Sequence, residues 1–215
     1  METSNSTTAD LRLAPHHETM LLDESAICEE IVRERGYWTE DEPRRLKELG
    51  YSDSQHLLVP ALVIPHYSLG RELANHQIRP DNPRLDEDGD PMKYELPAGS
   101  SNVLDCHPRN AERLMDPREP LWITEGAKKA DSGASRGLVV LSLIGVWGWM
   151  QDKAPHPDWG QIPLATRTVY LCFDADILEK ENVQQALYGL CEFLWDRRAL
   201  PYVIPMEDLQ EVDSD

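Results

Sequence analysis

Residues 169–176 read VYLCFDAD. Val169-Tyr170-Leu171-Cys172-Phe173 has the composition of a buried strand, and it runs directly into Asp174 and Asp176. Spaced i, i+2 on an extended chain, these aspartates point to the same side. They stand at the carboxyl end of the strand, where open α/β sheets place their ligands. Two carboxylates so close repel unless a cation lies between them. Magnesium takes hard oxygen ligands and usually keeps several waters, so the pair suits Mg2+ (or Mn2+) with room left for phosphate oxygens. The competing reading is local: an Asp after a strand often only caps the helix that follows.

Working outward, WITEG at 122–126 supplies a second strand end. Glu125 closes a short apolar strand over 121–124, and Gly126 permits a tight turn into the helix AKKADSGASRG. If that strand lies beside 168–173, Glu125 faces the same crevice and can share the metal or move a proton. Further strands are expected at 138–143 and 201–204, a helix at 182–198, and a long loop at 145–163 carrying Trp147, Trp149 and Trp159. Strand–helix alternation of this kind predicts, for residues 118–215, a mostly parallel sheet flanked by helices.

Residues 21–117 read as a smaller α+β unit. LLDESAICEEIVRERGY predicts a helix capped by Asp23 or Ser25 and ended by Gly36. EDEPRRLKELG predicts a second, with Pro43 near its start and Gly50 at its end. The prolines in LLVPALVIPH (57–66) suggest an edge strand, with a return strand at 73–79. Residues 1 to about 20 are polar and aperiodic, which predicts a disordered lead.

Bulk properties narrow the function. The 215-residue chain carries a net charge of −18, so its surface as a whole repels polyanions; nucleic acid must be met by a local basic patch or through metal. No apolar run approaches the roughly 20 residues that cross a bilayer, and no secretory signal is apparent; a cytoplasmic protein is expected. The four cysteines lack C-x-x-C spacing, which argues against a structural zinc site. Neither a phosphate-binding P-loop nor a dinucleotide fingerprint occurs. The histidines, among them His16, His17, His56, His66, His76 and His156, show no ligand spacing and read as surface or loop residues.

ITEGAKKAD, LSLIGVWGW and VYLCFDAD, in this order and spacing, resemble Toprim domains, which occur in bacterial primases, topoisomerases and some nucleases. The resemblance extends to the Toprim-like domain of unknown function in plasmid, phage and integrative-element replication proteins, whose marks are the loop Gly145 to Trp149 and the run Lys128 to Asp131. Upstream, LVIPHYSLG, HQIRPDNPR and MKYELP are similar to the segment that precedes Toprim in bacterial primases. The resemblance implies an α/β fold with a Toprim-like sheet preceded by a primase-like subdomain. It also implies metal ligation by Glu125, Asp174 and Asp176, with Asp131 as the nearest further acid. Lys128 or Lys129 would stabilise phosphate charge. Arg79, Lys93 and Tyr94 would line a groove for template or nucleotide, unless the two cations simply pair with nearby acids. Three departures qualify it. Only Asp208, Asp213 or Asp215 could replace the usual third acidic motif. Lys129 stands where many primases carry an acid. No zinc module or helicase domain accompanies the sequence, so a helicase or other replication protein is implied as partner.

The leading expectation is a Mg-dependent nucleotidyltransferase acting on single-stranded DNA and nucleoside triphosphates in replication of a mobile element or phage. A phosphodiester-cleaving nuclease and a non-catalytic nucleotide- or protein-binding module are the alternatives.

Overall fold

The computed structural model describes residues 12–173 and 181–205. Asp174, Asp176, Asp208, Asp213 and Asp215, all named above, lie outside the described residues.

The first elements are helical. Pro15, with its preset φ, opens α1 (Pro15–Thr19), which continues as a π-helical turn over Met20–Glu24. The lead expected to be disordered is therefore ordered from here on, and His17 and Leu21 are fully buried. α2 (Glu29–Arg35) begins later than its pattern suggested, without a side-chain cap, and ends at Gly36 in the left-handed conformation (φ 78°). β1 (Trp38–Glu40), α3 (Pro43–Glu48), β2 (Ala61–Tyr67) and β3 (Leu73–Pro80) follow. The three strands form an antiparallel sheet with β2 in the centre, not at the edge its prolines suggested. Pro65 lacks a donor, and its carbonyl accepts from Arg35 Nη1 at 2.9 Å.

The second sheet has the order β10-β9-β5-β6-β4. β4 (Asp105–Cys106) is a short antiparallel edge. After the single turn α4 (Ala111–Leu114) come β5 (Leu121–Glu125), α5 (Ala127–Ser135) and β6 (Val139–Leu143). The long loop then folds a small hairpin, β7 (Met150–Gln151) with β8 (Ala154–Pro155). β9 (Thr168–Phe173), α6 (Glu181–Asp196) and β10 (Leu200–Pro205) are the last elements of the described residues. β5, β6, β9 and β10 run parallel, which is the mostly parallel sheet flanked by helices that the alternation predicted.

Two apolar clusters hold this sheet. Leu121, Ile123, Leu141, Val169, Leu171 and Phe173 pack with Trp149 and Trp159 of the loop and with Leu190, Phe193 and Leu194 of α6. Beside it, the small face of α5, Ala127 and Ala134, packs with Ile31 and Val32 of α2 and Leu62 and Ile64 of β2. This second cluster joins residues from both sides of position 117. Among the described residues no helix is long and apolar enough to cross a membrane.

Candidate functional site

β5 and β9 are neighbours whose chains leave in opposite directions. β5 leads through α5 to β6 on one side, and β9 leads to β10 on the other. The carboxyl ends of β5 and β9 are thus the switch point of the sheet, where diverging loops leave a crevice. Thr124 pairs with Cys172, so Glu125 stands at the level where β9 ends in Phe173. Asp174 follows Phe173 in the chain.

A cavity of about 730 Å3 opens at this point. Glu125, Gly126, Lys128 and Lys129 come to it from the β5–α5 junction. Arg79 of β3, with Lys93 and Tyr94 from the loop beyond it, line the same space. Six sequence-predicted residues from both halves of the chain, Arg79, Lys93, Tyr94, Glu125, Lys128 and Lys129, therefore meet in one cleft. Its described lining offers two carboxylates, Glu24 and Glu125, against four cationic side chains, Arg79, Lys93, Lys128 and Lys129.

Local structure places each group. Gly126 adopts φ 85°, ψ 138°, a conformation open to glycine and costly for other residues. An added Cβ there would meet nothing within 4 Å, so the requirement is conformational. The Gly126 N–H donates to the Leu143 carbonyl at 3.0 Å, which fixes the turn against β6. Immediately after it α5 begins, and its first turn, with the positive end of the helix dipole, borders the cleft. Lys128 is half-buried; burial first, and Arg79 nearby, push its ammonium down to about 8. Its Nζ donates to Ser25 Oγ at 3.4 Å. Arg79 Nη1 donates to Tyr94 Oη at 2.8 Å, and its Cζ lies 5.4 Å from the Tyr94 ring centroid. The two side chains thus present cation and aromatic ring as one unit.

Asp131 does not reach the cleft. Its carboxylate is fully buried, accepting from Arg35 Nε, from Arg35 Nη2 at 2.7 Å and from Tyr37 Oη at 2.7 Å. The same Arg35 donates to Asp105 Oδ1 at 2.9 Å. Asp131 is therefore withdrawn from the metal set the resemblance implied: charge pairing inside the fold takes both of its oxygens.

His66 was missed. Read as a surface or loop histidine, it lies fully buried in central β2 and lines the cleft, and neither ring nitrogen has a hydrogen-bond partner among the described residues. Burial holds its imidazole below the usual value. Its position inside the apolar run LVIPHY was the available signal. His107 and His156 have a different use. Each precedes a proline and accepts at Nδ1 from a backbone N–H two residues on, Arg109 and Asp158 respectively, at 3.2 Å. Each thereby caps a 3-10 turn.

Residues 112–213 match the model of a family described as a domain of unknown function (DUF3854). No curated protein matches the sequence. Three solved structures share the architecture. The Aquifex aeolicus primase (zinc binding and RNA polymerase domains) has TM-score 0.57 and 14% identity over 88% of this chain and 49% of that one. The RNA polymerase domain of Mycobacterium tuberculosis primase DnaG has TM-score 0.52 and 11% identity over 87% and 67%. A Pseudomonas aeruginosa DNA primase domain has TM-score 0.53 and 15% identity over 88% and 64%. The fold is primase-like. The chain spans about half the length of the first of these structures. At such identities the likeness concerns the fold alone, and the cleft residues must carry any argument about chemistry.

Proposed function

We propose that the chain is a metal-dependent nucleotidyltransferase of primase type, built from a Toprim-like unit over 118–215 and a primase-like unit over 21–117. The observation that carries this reading is the convergence of Glu125, Lys128 and Lys129 with Arg79, Lys93 and Tyr94 in one cleft at the sheet's switch point. Glu125 with Asp174 and Asp176 would hold Mg2+ or Mn2+, because an all-carboxylate donor set suits hard cations. Bound there, the metal supplies charge neutralisation for a phosphoryl transition state. Lys128 and Lys129, at the start of α5, hold triphosphate oxygens together with the helix amides. Tyr94 stacks on a template or incoming base while Arg79 and Lys93 contact phosphates. If it does not share the metal, Glu125 would instead accept the proton of an attacking 3′-hydroxyl. Replication of a mobile element or phage, and recruitment by a helicase, belong to the same proposal.

One observation favours a second reading. With Asp131 held by Arg35 and Lys129 in an acid's usual place, α5 presents cations, and no carboxylate, to the cleft. That composition also fits a module that binds nucleotides without turning them over.

The test is a product assay with single-stranded DNA, labelled nucleoside triphosphates and Mg2+ or Mn2+. Elongated products that vanish in Asp174→Asn and Asp176→Asn are expected. Shortened DNA would assign hydrolysis instead. Nucleotide binding with neither product would establish the binding module.

A further inference from the structure

His16, His17 and Asp81 form a cluster outside the parallel sheet. Among the described residues they are the group of three potential ligands whose coordinating atoms all lie within 4.8 Å of one another. His16 Nε2 is 2.9 Å from Asp81 Oδ2, and His17 Nε2 is 2.9 Å from Asp81 Oδ1. Two adjacent histidines from α1 thus meet one carboxylate just after β3.

His17 makes the cluster more than a surface coincidence. Its side chain is buried, and Nε2 has no hydrogen-bond partner of acceptable geometry although a carboxylate oxygen is close. Nδ1 lies 2.8 Å from Thr39 Oγ1, a hydroxyl that already accepts from the Ala14 N–H at 2.7 Å. In the tautomer that donates Nδ1–H to Thr39, Nε2 presents a lone pair to the Asp81 carboxylate. Two lone-pair atoms at that range repel unless a cation lies between them. An outer partner on the remote ring nitrogen is also the arrangement that orients histidine ligands in metal sites.

We propose that His16 Nε2, His17 Nε2 and the Asp81 carboxylate bind a divalent transition metal, with Zn2+ the best fit. Two imidazoles and one carboxylate are a borderline-soft donor set, suited to Zn2+ and poorly suited to Mg2+. Ligand atoms of a tetrahedral zinc site stand roughly 3.3 Å apart, as follows from Zn–N and Zn–O bonds of about 2.0–2.1 Å. The two imidazole–carboxylate separations of 2.9 Å would widen slightly to reach that size. A second pocket of about 470 Å3 adjoins the three residues and leaves room for water or an anion as fourth ligand. Arg79 and Lys93 line both this pocket and the main cleft. The metal would therefore clamp the N-terminal helical turn to the end of β3, beside the two cations assigned to phosphate contact.

Chelator-treated full chain titrated calorimetrically with Zn2+ tests the proposal without nucleotide or DNA, so its failure is separate from failure of the nucleotidyltransferase reading. His16 is half-exposed, and its truncation leaves the buried core in place. One tight Zn2+ per chain is expected, weakened at least about tenfold in His16→Ala and Asp81→Asn, with no competition from excess Mg2+. Co2+ substitution should give a visible absorption band that both variants lose. Equal Zn2+ binding in wild type and variants, absence of binding, or displacement by Mg2+ at comparable concentration would each overturn it, the last by showing a hard-oxygen site.

Discussion

Lys128 occupies a cationic corner whose charge is held at a cost, since burial and Arg79 have already lowered its ammonium to about 8. The sign of the consequence follows. Below about pH 8 the group is charged and attracts phosphate; above it the free protein offers a neutral amine. Nucleotide affinity is therefore expected to begin falling as pH rises through about 8, and Lys128→Arg, which stays charged, should abolish that fall. Lys128→Met should weaken binding about tenfold at neutral pH, the size of one lost charge-assisted hydrogen bond. Fluorescence anisotropy of a labelled nucleotide across pH checks all three. Asp131 shows the opposite fate for a charged residue three positions on. Sequence spacing placed it beside the metal, but spacing along a helix carries no information about which buried cation the other lobe supplies.

At the scale of elements, α5 is set by small residues. Gly133 faces β6 so closely that an added Cβ would stand 2.8 Å from Val140 Cγ2. The contact brings the helix down onto the sheet and its first turn to the mouth of the cleft. Gly133→Ala is expected to cost about 1–3 kcal/mol in a urea melt, the range for overpacking. It should also weaken nucleotide binding by shifting Lys128 and Lys129. A variant as stable as wild type would show that the interface relaxes freely. Strand identities were legible because β-rich apolar runs leave little choice: residues 168–173 were bounded correctly from composition alone. β2 was placed at an edge because its prolines remove donors, yet it is central, with Arg35 bonding the Pro65 carbonyl. β1, three residues long, has no periodicity to detect.

Across the whole molecule, a chain of net charge −18 gathers four cationic side chains around one cleft. The Arg35 network binds the two halves that form it, linking α2 to Asp105 of β4 and Asp131 of α5. Burial raises the Asp105 carboxyl, but Arg35, His66 and the Tyr67 N–H together bring it below the ordinary carboxylate value. A depressed folded value contributes stability that is present above the unfolded value and lost as pH falls through the folded one. Arg35→Met leaves two buried carboxylates unpaired and is expected to cost about 3–5 kcal/mol at neutral pH. The loss should shrink in acid as those carboxylates take up protons. Denaturant melts at several pH values measure it, and a pH-independent loss would assign the cost to packing instead.

The sequence by itself determined the parallel α/β sheet, because alternating apolar strands and helices admit few layered arrangements. It also singled out Glu125, because a carboxylate closing an apolar strand stands out, while the resemblance to primases pointed to Lys128, Lys129, Arg79, Lys93 and Tyr94. Only the tertiary structure decided which of them share a cleft, that Asp131 is neutralised by Arg35, and that His17 and His66 are interior. Those outcomes depend on contacts between residues as far apart as 35 and 131, and the pairing energy of a buried charge is set by the partner that folding brings to it.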